Sequence, residues 1–140
     1  MPPERATPGS PADWMARARG DLALARAPLP EGAFYEDLCF HAQQAAEKAI
    51  KAVYRAHGLA FRYTHDLQDL IDGLKQKPVS VPREVEAASD LTGFAWETRY
   101  PGLAEPVTPD EYHAALLHAE TVVAWAESVI SLRRSEQEPL

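Results

Sequence analysis

Proline, glycine and serine clusters cut this chain into five stretches, and in none of them do β-branched residues alternate with polar ones. A half-buried strand needs that two-residue alternation, whereas apolar residues here recur at steps of three and four. The chain therefore reads as all-α. A first helix is expected from Ser10-Pro11-Ala12-Asp13, where a capping hydroxyl, a proline at the first helical position and an acid in the first turn coincide. Its inner stripe would be Trp14, Ala18, Leu22 and Ala25, and Pro28 and Pro30 would end it. A second helix runs from about Ala33 to His57 and closes on Gly58, which can take the left-handed conformation common after helix ends. A third follows Thr64, with Leu67, Leu70, Ile71 and Leu74 on one face, and Lys77-Pro78 stops it. A fourth is expected over about Val81 to Trp96, then a proline-stiffened connection, ETRYPGLAEPVTPD. A fifth opens on Thr108-Pro109-Asp110-Glu111, a capping box, with Tyr112, Leu116, Ala119, Val123, Ala126 and Ile130 as its core stripe. The expected organisation is a disordered arm over 1–9, a helical bundle over 10–133 and a frayed tail over 134–140.

The second helix carries the unusual feature. At 100° per residue, Leu38, Cys39, Ala42, Ala46, Ala49, Ile50 and Val53 fall on one side, and most are small enough to let neighbouring helices approach closely. The other side collects Phe40, Gln44, Glu47, Lys51 and Tyr54, with His41 and Lys48 at its margin. Aromatics on a polar face exceed what a solvated surface needs. Three uses compete: an ordinary solvated face, a protein–protein surface such as a two-fold dimer, or a phosphate site built on Lys48, Lys51 and Arg55. A groove between subunits would combine the last two.

The 140 residues suit one domain. With 21 acidic against 14 basic residues, the formal net charge of −7 speaks against a nonspecific nucleic-acid coat or an anionic-membrane binder. Any phosphate site must be a local basic patch. One cysteine, Cys39, excludes an internal disulfide, and no leader or run of eighteen apolar residues is evident. A cytoplasmic setting without membrane contact is the expectation. No GxxxxGK[ST], GxGxxG, HExxH or CxxC occurs, and none of the five histidines stands four residues from another. No metal and no cofactor are expected, and Cys39, on the apolar side of its helix, reads as a small buried hydrophobe. His65-Asp66 has two readings: Thr64 caps the third helix while Asp66 complements its dipole, or His65 is an acid–base or ligand group at a helix mouth. Arg99-Tyr100-Pro101-Gly102 likewise reads as a type II turn, or as an arginine and a tyrosine raised to grip a phosphate or stack on a base.

CFHAQQAAEKAIKAVYRAHG, then THDLQDL, then FAWETRYPG ahead of a final helix rich in Ala and Glu, together resemble the HEPN domain (higher eukaryotes and prokaryotes nucleotide-binding), over about Asp13 to Ile130. The resemblance implies an up-and-down bundle of four to five helices, usually dimeric and commonly encoded beside a minimal nucleotidyltransferase. In several such pairs the HEPN member is a toxin-like ribonuclease and the transferase its antitoxin. The ribonuclease branch carries an arginine followed, after four to six residues, by a histidine. This chain departs from that pattern: His57 is too close to Arg55, His65 too close to Arg62, and Arg99 meets no histidine before His113. Cleavage of RNA would then need a displaced pair, Arg99 with His65 or His113, around one phosphate. By the resemblance, His41, Lys48, His65, Asp66, Arg99 and Tyr100 are the positions that could shape a nucleotide-binding groove, while phasing favours Phe40, Gln44, Glu47, Lys51 and Tyr54 as a dimer or partner interface. The reading is a nucleotide- or RNA-associated subunit of a two-component system, with a non-catalytic interaction module as the alternative.

Overall fold

The computed structural model describes residues 5–77, 79–95, 101–102 and 105–137. Five α-helices are present among them: α1 (Pro11–Arg26), α2 (Tyr35–Ala56), α3 (Leu67–Lys75), α4 (Arg83–Glu86) and α5 (Pro109–Gln137), with a 3-10 segment over Ala87–Ala95 and no strand. The boundary chemistry at both long ends is as the sequence predicts. Ser10 Oγ accepts from Asp13 N at 3.1 Å, and Thr108 and Glu111 exchange reciprocal bonds of 3.1 Å. Gly58 takes φ 67° behind α2, and Gly102 takes φ 84° in the expected turn.

Alanines set the packing. Ala42, Ala45, Ala46, Ala49 and Ala52 of α2 are wholly buried, as are Ala18 and Ala25 of α1 and Ala119 and Ala126 of α5. With so little side chain between the axes, α1 and α5 close tightly on α2, and the apolar area they remove from water drives assembly. α1 runs antiparallel to both: its Trp14 lies by Lys51 and its Asp21 by His41 of α2. Towards α5, Arg19 pairs with Glu127 and Arg26 with Glu120, each at 2.8 Å. Tyr35 and Tyr112 stack at 5.1 Å where α2 and α5 begin. After α2 the segment 59–65 doubles back along it before α3 turns round again, bringing Tyr54 Oη to donate to the Leu70 carbonyl at 2.6 Å.

Three expectations change. The predicted fourth helix makes one α turn and continues as 3-10 to Ala95, because Ser89, Asp90, Thr92 and Gly93 favour local backbone bonds over regular α geometry. Thr92 Oγ1 instead accepts from Leu67 N at 3.1 Å and serves the start of α3. The cap of α3 is Asp66, not Thr64: Asp66 Oδ1 accepts from Gln68 N and Asp69 N, while Thr64 Oγ1 accepts from Asp66 N. The helix α5 continues to Gln137, into the stretch from 134 expected to be a frayed tail. Within Pro109–Glu136 an 18-residue window has a mean hydropathy of 1.2, so by length and composition alone the helix is long and apolar enough to cross a membrane. Here Ala115, Ala119, Val122, Val123 and Ala126 are buried in the bundle core instead.

Candidate functional site

The polar side of α2 does not face solvent along its length. From Ala49 to Tyr54 every residue is buried, Lys51 and Tyr54 included, and Glu47 is 2% exposed. The expectation of an exposed Glu47-Lys51-Tyr54 face is thereby corrected. The cause is the returning segment 59–65, whose Phe61 packs over this half of the helix, together with Trp14 of α1. Only the first half of the face stays open: Phe40, His41, Gln44 and Lys48 are each partly exposed.

Under the covered half lies a charged network. Glu47 Oε2 accepts from Lys51 Nζ at 3.0 Å, and Glu47 Oε1 bonds His65 Nδ1 at 2.9 Å and accepts from Gln43 Nε2 at 3.1 Å. Gln43 Nε2 also reaches the His65 carbonyl at 3.2 Å, and Gln44 Nε2 donates to Gln43 Oε1 at 2.7 Å. The Lys51 ammonium sits 5.2 to 5.9 Å from the ring centres of Trp14, Phe61 and Tyr63, a geometry that substitutes ring faces for lost water. Burial of Glu47 and Lys51 is tolerable because each is the other's counter-charge and their remaining capacity is taken up.

A second constellation borders the open half. Asp21 of α1, 8% exposed, accepts from Lys48 Nζ at 2.6 Å and bonds His41 Nδ1 at 2.9 Å. His41 and His65 thus each use Nδ1 on a carboxylate, leaving Nε2 for solvent or a partner; the His65 side chain is 54% exposed beside the 91% exposed Tyr63. Lys48 and Lys51, offered by the sequence as phosphate ligands, are already ion-paired. Asp66 has both bonds of a helix cap. His113 lies near the start of α5, where its Nδ1 donates to the Pro109 carbonyl at 2.7 Å. Arg99 and Tyr100 lie outside the described residues. Cys39 is fully buried, and burial first, then Glu36 and Glu111, push its thiol up to about 12, the state of a packing group and not of a nucleophile. Among the described residues no three of His, Cys, Asp and Glu gather as metal ligands.

Asp21 and Gln43 are the members that phasing missed. Asp21 stands within the apolar stripe of α1, between Ala18 and Leu22, and a carboxylate there needs a cation from the facing helix. That position was the available signal.

Comparison with known proteins gives this geometry a setting. A profile of the HEPN domain matches residues 11–129. Among solved structures, an archaeal HEPN homologue is 25% identical with a TM-score of 0.67, over 86% of this chain and 98% of that one. A protein from Thermus thermophilus is 32% identical with a TM-score of 0.62, over 91% of this chain and 98% of its own. An HEPN domain protein from Thermotoga maritima is 28% identical with a TM-score of 0.51, over 91% of this chain and 98% of that one. No curated protein sequence matches.

Proposed function

The chain belongs to the HEPN domain family, and from that premise we propose that it is the non-cleaving, nucleotide- or RNA-associated member of a cytoplasmic two-component, toxin–antitoxin-like system, with a minimal nucleotidyltransferase as the other member. One observation carries this reading: between Leu38 and Tyr54, α2 is enclosed by the bundle except along Phe40, His41, Gln44 and Lys48, and the chemistry-bearing groups around that strip are already tied to the carboxylates of Asp21 and Glu47. A half-open strip combining an aromatic ring, an amide and paired charges suits association, where polar groups fix register and the ring supplies area. It suits phosphoryl chemistry less, since a lysine and a histidine held at 2.6 and 2.9 Å by one carboxylate have their charge matched before any phosphate arrives. The same strip serves self-association of two copies or contact with the transferase.

The test is gel filtration of the chain mixed with a minimal nucleotidyltransferase, with a single-stranded RNA added and its length read in the same fractions. Co-elution with intact RNA is expected. Separate elution, together with cleavage that disappears in His65→Ala, would overturn the reading and restore catalysis by a displaced pair.

A further inference from the structure

The chain is acidic overall, yet four of its arginines converge at one end of the bundle. The start of α1 and the ends of α2 and α5 enclose a cleft of about 730 Å³, lined among others by Arg19, Arg55, Arg133, Arg134, His57 and Ser10. Such a volume matches the ~300–1,000 Å³ of small-ligand sites. Arg19 is balanced by Glu127 at 2.8 Å, and Arg55 stacks on Phe61 at 4.7 Å. Arg133 and Arg134 have no acidic partner among the described residues, and Arg133 Nε is buried with no hydrogen-bond acceptor. A buried guanidinium N–H without a protein acceptor is costly, and an anion in the cleft would relieve that cost. His57 donates Nδ1–H to the Val53 carbonyl at 3.0 Å, which leaves Nε2 as its free ring nitrogen at the cleft.

We propose that this cleft binds a compact polyphosphate anion, either pyrophosphate or the phosphate chain of a small nucleotide. Guanidinium groups present planar, bidentate donors matched to phosphate oxygens, and here three of them lack a carboxylate. A strand of RNA fits the observations less well, because a net charge of −7 disfavours the extended positive track that a strand needs. The proposal rests on the nucleotide-associated reading and gives it a location away from the open strip of α2. The two fail separately: loss of the cleft leaves association untouched.

Titration calorimetry and thermal unfolding with pyrophosphate and with ADP, at constant ionic strength, test it. Both ligands are expected to bind the wild-type chain and raise its unfolding temperature. Arg133→Gln is expected to weaken binding about tenfold or more. Arg134→Gln, at an exposed position that leaves packing alone, does the same should Arg133→Gln impair folding. Equal affinities assign recognition to the phosphates alone, and tighter ADP binding adds a nucleoside contact; either outcome supports the site. Absence of binding to both ligands, affinity unaltered in Arg134→Gln, or capture of an RNA oligomer by a protein that ignores both small anions would overturn it.

Discussion

Lys51 and Glu47 show how one side chain's environment decides between function and architecture. As a spacing, Glu47-Lys51 is an ordinary i, i+4 surface pair of small effect. Buried at 2% and 4% exposure, it is a desolvated ion pair with aromatic walls. Removing one partner leaves an unmatched charge inside, so Glu47→Ala is expected to cost about 3–5 kcal/mol in urea unfolding, while Glu47→Leu with Lys51→Met together costs far less. Equal losses in the single and the double variant would contradict that account. At this scale the sequence was legible where a residue's role depends on its own chain neighbours, as with Ser10 and Thr108. It was illegible for Lys51, whose burial depends on Trp14 from one element and on Phe61 from another. Arg133 was hidden for a related reason: its place in the sequence suits a fraying tail, yet it stands on a helix that continues and lines a cleft with α1 and α2.

Among the elements, α2 and its returning segment control what the molecule exposes. Helical phasing places residues around an axis but does not say how many neighbours surround that axis, and α2 has neighbours on nearly every side. The small-residue stripe lies where phasing puts it, and the opposite stripe is covered along half its length. The short fourth helix departs from expectation for the converse reason: its apolar spacing is helical, but hydroxyls and a glycine between Ser89 and Gly93 divert the backbone. Contact between α3 and α2 supplies a sharp test. A Cβ on Gly73 would fall 2.1 Å from Tyr54 Oη, the phenol that holds the Leu70 carbonyl. Gly73→Ala is therefore expected to destabilise by about 1–3 kcal/mol despite its gain in helix propensity, and Gly73→Ala in a Tyr54→Phe background to recover part of the loss. Stabilisation by Gly73→Ala alone would mean that α3 does not seat against Tyr54.

For the whole molecule, charge is distributed by place. The interior carries matched pairs, Glu47 with Lys51 and Asp21 with Lys48; unmatched arginines gather at one end; and between Leu38 and Tyr54 the central helix is open along a single strip. The central claim is that this strip is the association face, and the mass of the protein in solution tests it most directly. Multi-angle light scattering on the chain alone is expected to give twice the 15.5 kDa chain mass, falling to a single chain in Phe40→Glu with far-ultraviolet circular dichroism unchanged. A wild-type monomer, or a dimer that Phe40→Glu leaves intact, would contradict it.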